Sequence, residues 1–436
     1  MRVLWISMNA GLMGVQTGNT HYNGGGWISS LQSLLLDDRN IELGLAFLSP
    51  INMPEKVEKG NTTYFPIKSE DKSRFGKLIH YYGGYKKHNR DLYVKELLHI
   101  INIFQPDIIH LFGIENTLAR IVGKTKVPMV VHLQGLLPPI ANAFWPVGFN
   151  RHSLLHRFPL NERIMRNGYI YAKNACTYNA KMEMELFHLL KFAMGRTEWD
   201  SQILRILSPD CKYYHVNEVL RDVFYDCMGT WKGFQNTSIK IISTLSNTMY
   251  KGLDLVLKTA ALLKENSTIK FEWNVVGLND NHRIVRFFEK ELNIKSQDVN
   301  VRYRGILSAE NLCALEQDMS VYVHPTYIDN SPNSVCEAQL LGLPVIATNV
   351  GGIPTLVSHN ETGFLVPTNA PYDLAYRIIW IHENPDIVTE MALEGVKVAA
   401  KRHDRERIKN DLLNVYKNIL GNEKNRSSTN CFQQKG

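Results

Sequence analysis

Two carboxylates eight residues apart, Asp329 and Glu337, offer the clearest chemistry in this chain. They straddle the start of a helix predicted from its punctuation: Ser331 suits the N-cap, Pro332 the first helical position and Gly342 the C-terminal stop. The preceding stretch 321–325, VYVHP, reads as a strand ending in a turn. A helix that begins directly after a strand presents free backbone N–H groups, here those of Asn333, Ser334 and Val335, at the positive end of its dipole. Such an end suits a phosphate. Glu337 falls more than one turn further on, among Val335, Cys336, Ala338, Leu340 and Leu341, where a carboxylate without a polar partner is costly. Ribose hydroxyls are one such partner. Asp329, on the loop before the cap, can reach a group on the far side of the phosphates. Taken singly, Glu337 reads as readily as a solvent-facing helical acid, and Asp329 as a turn residue.

Other residues with chemical potential fall at the ends of predicted strands. Lys251, after the first strand of the second half, can aim its ammonium at the charge that builds on a departing diphosphate, or can simply be solvated. His132 ends a strand at 127–133 and is either a satisfied core histidine or a site residue; His110 and His324, also near strand ends, read as structural. Gly24, Gly25 and Gly26 stand at the head of a helix, where glycine lets the backbone approach a phosphate or sugar closely. They are not a dinucleotide fingerprint, because they lie far beyond the first strand and no acid ends the second. Arg196 can clamp an anionic acceptor group or pair with Glu198 or Asp200. The run 136–146 is apolar and proline-rich, suited to filling space or to receiving a lipid-linked acceptor.

The elements that must carry these residues alternate between strand-like and helix-period patterns, which predicts an α/β chain with parallel sheets. Strands are expected at 3–8, 41–48, 107–112 and 127–133, with helices at 27–36 and 91–104. After a loop-rich middle a second series follows: strands at 240–245, 269–276, 299–304, 319–324 and 345–349, with helices at 253–264, 282–292 and 309–317. A chain of 436 residues exceeds what one core normally serves. The expected division is 1–228, 229–402, a last helix at 403–420 and a disordered tail at 421–436. Ligands then collect at the carboxyl ends of the strands, in the cleft between two Rossmann-like domains.

With 44% hydrophobic and 21% charged residues, each half can bury an ordinary core. No stretch approaches the ~20 apolar residues of a membrane span. Six cysteines lie scattered with no metal-like spacing, which fits a reducing cytoplasm. The net charge of +7 is concentrated in part between residues 72 and 90, which hold six basic residues, no acid and interleaved aromatics. That stretch suits either contact with an anionic membrane surface, which would place the protein at the inner face of the membrane, or a solvated excursion. No nucleic-acid motif accompanies it.

The segment from Asp329 to Gly342, continued by LPVIATNVGGIP, resembles the donor-site signature of retaining glycosyltransferases of family 4, which have the GT-B fold. The family usually shows Glu-x7-Glu here; this chain has Asp329 first, one methylene shorter. The resemblance implies a nucleoside diphosphate sugar as substrate, with no cofactor, and a glycan or lipid-linked acceptor. It implies that Glu337 holds the ribose, that Lys251 and the amides at Asn333, Ser334 and Val335 hold the pyrophosphate, and that Asp329 holds sugar hydroxyls. His132 would lie near the reacting carbon, and Gly25 and Gly26 beneath the pyrophosphate. An Arg that usually precedes the Lys by five or six residues is replaced by Leu245 or Ser246. No Asp-x-Asp occurs, so a donor held through a divalent metal is not expected. A nucleotide-sugar isomerase such as an epimerase, or a catalytically silent nucleotide-sugar-binding protein, would use the same residues.

Overall fold

The computed structural model describes residues 1–14, 26–69, 93–149, 168–234 and 238–433. They form two compact units. The first comprises Met1–Pro138, Pro159–Val219 and His403–Gly436, the second Pro139–Phe158 and Leu220–Arg402. The basic stretch 72–90 and Gly25 lie outside the described residues.

The first unit is built on an eight-stranded sheet: β1 (Arg2–Ser7), β2 (Glu42–Ser49), β3 (Val57–Lys59), β4 (Thr62–Lys68), β5 (Ile108–Phe112), β6 (Met129–His132), β7 (Phe192–Gly195) and β8 (Lys212–His215). Its order is β3-β4-β2-β1-β5-β6-β7-β8, parallel except for the β3–β4 pair. The central strands are buried along both faces, hence their continuous apolar runs. The helix Val94–Phe104 buries Val94, Leu97, Ile100, Ile101 and Phe104, one stripe at helical spacing, and stops where Gln105 turns left-handed. The helix Glu198–Leu207 starts from a capping box in which Thr197 and Asp200 satisfy each other's backbone N–H groups. Both β7 and β8 and the long helix Tyr169–Phe187 occupy the middle that the sequence patterns left as loop. The run 136–146 contains the short helix Leu137–Asn142, with Ala141 and Phe144 buried.

The second unit has a six-stranded parallel sheet: β9 (Ser238–Thr244), β10 (Lys270–Val276), β11 (Val301–Gly305), β12 (Val321–His324), β13 (Val345–Thr348) and β14 (Phe364–Val366). The order is β11-β10-β9-β12-β13-β14. The chain therefore builds outward from β9 in one direction and returns to build from β12 in the other, which makes the β9–β12 junction a topological switch point.

The division of the chain differs from the sequence reading at two places. The second unit begins at Leu220, ahead of the glycines at Gly229 and Gly233, because Leu220 and Phe224 are fully buried in its core with Tyr322, Val335 and Leu340. The last helix, Arg405–Gln433, runs past Gly421, where a disordered tail was expected. It belongs to the first unit: the indole Nε1 of Trp5 donates to the Tyr416 hydroxyl at 3.1 Å, and the same hydroxyl lies 2.6 Å from His110 Nδ1. Among the described residues, no helix is long and apolar enough to cross a membrane.

Candidate functional site

Three loops at the carboxyl edge of the second unit's sheet build the site. Lys251 follows β9, and Asp329 follows β12, the strand on the other side of the switch point. Their side chains meet, Lys251 Nζ lying 2.5 Å from Asp329 Oδ2. The same oxygen lies 3.0 Å from His324 Nε2, while Asp329 Oδ1 accepts the Asn330 N–H at 3.1 Å. Burial alone would raise the Asp329 carboxyl; the Lys251 charge and the His324 hydrogen bond override it and hold it far below the usual range. Burial would likewise lower Lys251, but Asp329 keeps its ammonium above the ordinary lysine value. The pair is therefore ionised at neutral pH. Burial also lowers His324, so its imidazole is neutral there. His324 Nδ1 continues the chain to the Tyr322 hydroxyl at 3.4 Å, itself 2.6 Å from Thr244 Oγ1.

The loops are locked backbone to backbone. Tyr327 N–H donates to the Tyr250 carbonyl at 2.8 Å, and the Thr326 hydroxyl to the same carbonyl at 3.0 Å. Gly252 and Gly351 adopt positive φ, and a Cβ on either would fall 2.0 Å from the Pro325 carbonyl oxygen or 1.9 Å from that of Asp329. Gly352 N–H donates to the Asp329 carbonyl at 3.0 Å. The glycine pair after β13 is thus a clamp on the Asp329 loop, and any side chain at Gly351 would displace the carboxylate.

The helix expected to start at Pro332 with Ser331 as its cap begins one residue later, as Asn333–Leu341, with the extended Pro332 at its N-cap. Gly342 closes it in the left-handed conformation, as expected. One of the three amides assigned to a phosphate is corrected: Val335 N–H donates to the Pro332 carbonyl at 3.0 Å. Asn333 and Ser334 head the helix, where amides have no intrahelical acceptor. Glu337 is 2% exposed, and its partner is a residue the sequence reading did not single out. Arg221 forks onto it, Nε to Oε1 at 2.8 Å and Nη2 to Oε2 at 2.7 Å. Glu316, fully buried nearby, has no hydrogen-bond partner for either oxygen among the described residues. Burial, reinforced by the Glu337 charge, holds it protonated well above the carboxylate range.

In the first unit, His132 is fully buried, with Nδ1 3.3 Å from His110 Nε2, its ring edge-on to Trp27, and Nε2 without a partner among the described residues. Burial, then the neighbouring His110, Arg196 and His215, keep its imidazole neutral. Arg196 is buried over the Trp27 ring, and the ion pair it makes is with Glu218 at 3.7 Å, in place of the expected Glu198 or Asp200. Asp200 instead accepts the Arg196 backbone N–H at 2.9 Å as part of the helix cap. Gly26 opens the helix Gly26–Ser33.

Behind this edge, Glu183 accepts the Leu137 N–H at 3.1 Å, and burial plus the charge of Glu115 push it up to about 9; burial pushes Glu115 up to about 7. Both groups hold their protons more tightly folded than unfolded, so stability is lost as pH rises from the ordinary carboxyl range through these values. Glu183→Gln keeps an acceptor for Leu137 and has no proton to lose. It is expected to match the wild type in urea unfolding near pH 4.5 and exceed it by about 1 kcal/mol or more at pH 8; equal stability at both pH values would refute the assignment.

Comparison with known proteins places this geometry. The fold is that of the GT-B glycosyltransferases, α/β with two parallel-sheet Rossmann-like units: sucrose-phosphate synthase from Thermosynechococcus elongatus aligns with a TM-score of 0.71 at 14% identity, over 97% of this chain and 99% of that one. Anabaena HepE in complex with UDP-glucose aligns with a TM-score of 0.62 at 15% identity, over 96% of this chain and 100% of that one. Residues 237–384, which hold Lys251, Asp329 and Glu337, match the glycosyl transferases group 1 family. The putative colanic acid biosynthesis glycosyltransferase WcaL of Escherichia coli is 29% identical over 148 residues, which cover 33% of this chain and 36% of that protein. The match thus spans little more than a third of that relative's length.

Proposed function

We propose that the protein is a retaining glycosyltransferase of family 4 that moves a sugar from a nucleoside diphosphate donor to a hydroxyl of a glycan or glycolipid acceptor, without a bound metal. One observation carries the reading: within the group 1 domain, the strands flanking the switch point bring Lys251 and Asp329 together beside a helix that starts at Asn333 and buries Glu337. In this reading the Asn333 and Ser334 amides and the Lys251 ammonium receive the diphosphate, and Glu337 receives the ribose. A lone pair left on Asp329 Oδ1 receives a sugar hydroxyl. The neutral His132 supplies a hydrogen bond near the reacting carbon, and the Arg196 edge serves the acceptor.

The acceptor oxygen attacks the anomeric carbon from the face that the diphosphate leaves. The carbon–oxygen bond to phosphate breaks, the new glycosidic bond forms, and the acceptor proton passes to the departing phosphate oxygen. Lys251 stabilises the charge that develops there. WcaL is named for colanic acid biosynthesis, and a polysaccharide pathway is the setting proposed for this chain. Thermal-shift screening with UDP-, GDP-, ADP- and CMP-sugars is expected to show stabilisation by one nucleotide class. With that donor and an acceptor, Glu337→Ala should raise the donor KM at least about tenfold. If no nucleotide sugar raises the melting temperature, the reading fails; if donor alone changes sugar identity by NMR, the chemistry is isomerisation and not transfer.

A further inference from the structure

We propose that Tyr416, on the last helix, is a positioning residue: through His110 it fixes His132 in the tautomer that carries its proton on Nε2, so that His132 gives a hydrogen bond to a ligand oxygen and takes no proton from it. What His132 meets rests on the sugar-transfer reading; the relay behind it stands on the first unit alone.

The direction of each bond follows from the one before it. The indole Nε1 of Trp5 can only donate, and it donates to the Tyr416 hydroxyl at 3.1 Å. That hydroxyl owns one proton, is buried, and lies 2.6 Å from His110 Nδ1, a length usual for an O–H donor and short for an N–H one. Its proton therefore goes to Nδ1, which must present a bare lone pair. His110 is fully buried and stacked on Phe112, with ring centroids 3.9 Å apart, and burial pushes its imidazole down to about 3. It is neutral, and its one ring proton sits on Nε2. That nitrogen lies 3.3 Å from His132 Nδ1, which must then accept. The reverse direction fails at the tyrosine: were His110 Nδ1 the donor, the hydroxyl would receive two N–H groups, and its own proton would be left buried without an acceptor.

Trp5, Tyr416, His110 and His132 thus form a one-way chain that ends in an unspent N–H. The His132 ring is held by Trp27, edge-on with centroids 5.0 Å apart, and by His110, stacked at 5.3 Å. Its Nε2 is buried with no partner among the described residues. Of the groups whose charge reaches it, Arg196 is a donor only and His110 has already committed its N–H. His132 ends β6, at the carboxyl edge of the sheet, where ligands collect. The group that completes the chain is an oxygen lone pair, and in the sugar-transfer reading it belongs to a sugar hydroxyl.

The test reads the ring nitrogens directly. Long-range ¹H–¹⁵N spectra of the full chain labelled with ¹⁵N-histidine separate a protonated ring nitrogen from a bare one, and His132→Asn assigns the pair. The wild type near neutral pH is expected to show His132 as the Nε2–H tautomer alone. In Tyr416→Phe the bond that orients His110 is gone, and the two His132 nitrogens are expected to move toward each other as two tautomers interchange. Trp5→Phe combined with Tyr416→Phe also removes the indole N–H that the single change leaves without an acceptor, and gives the same readout should the single variant not fold. With UDP-glucose, GDP-mannose or ADP-glucose, the wild-type Nε2–H signal is expected to shift while Nδ1 stays bare, and Tyr416→Phe to lose about three- to tenfold in kcat/KM with the donor that binds. A wild-type His132 protonated on Nδ1, with or without donor, overturns the inference, as does a Tyr416→Phe variant that keeps either the tautomer or the kcat/KM of the wild type. A wild-type Nε2–H signal that responds to none of the three nucleotide sugars overturns the functional reading, a distinct result.

Discussion

Lys251→Met is expected to lower turnover by about a hundred- to a thousandfold while leaving the donor dissociation constant within roughly tenfold. The geometry explains the asymmetry. The ammonium is held at 2.5 Å by Asp329, so part of its charge is already balanced. A diphosphate about to leave carries more negative charge than one still bonded to sugar, and only the former competes strongly for the lysine. Interactions stronger in the transition state than in the ground state act on kcat more than on binding. The variant also leaves Asp329 with His324 as its remaining side-chain partner, which raises the carboxyl and weakens any contact to the sugar. Steady-state kinetics and direct binding, run on the same preparation, check the split; a kcat within about threefold of wild type would remove Lys251 from the mechanism.

The second large effect concerns stability. Arg221→Ala removes the partner of a carboxylate that is 2% exposed, and an uncompensated buried charge is among the costliest defects a core can carry. Arg221 is itself 27% exposed, so the expected loss is about 2–4 kcal/mol, below the figure for a pair wholly out of water. The double variant Arg221→Met, Glu337→Leu replaces the pair by apolar groups and is expected to recover most of that stability in guanidinium unfolding, yet to bind no nucleotide. Recovery of both stability and binding would show that Glu337 is a packing residue and nothing more.

The sequence disclosed the parts of this site that are local. The Asp329–Glu337 spacing, the helix stop at Gly342 and the glycine pair after β13 all lie within one segment, where capping and turn chemistry leave a legible pattern. Lys251 was legible for the same reason, standing where a strand gives way to a helix. What stayed hidden depends on contacts between distant positions. Arg221 meets Glu337 across 116 residues, with no periodicity or motif to join them. His324 ends a predicted strand beside Asp329 and its sequence pattern is that of a structural residue, because its significance comes from the 3.0 Å contact that the turn after β12 creates. Strand β8 has no fully buried residue and β7 ends in glycine after three apolar residues, so neither shows the β-branched apolar run that marks the equally short β6, β12 and β13, and the middle of the chain reads as loop. The glycines near Gly229 suggest a boundary there, whereas core packing sets it at Leu220, since a turn signal marks a bend in the backbone and not the edge of a core.

The first unit is assembled from stretches far apart in sequence: Trp5 and His110 complete their polar contacts on Tyr416, which the ribosome delivers only after residues 220–402. Most of the second unit, residues 220–402, emerges as one uninterrupted length before that. The amino-terminal half must therefore wait, half-built, for its closing helix, while the carboxyl-terminal half can already condense, a reversal of the usual first-made, first-folded order.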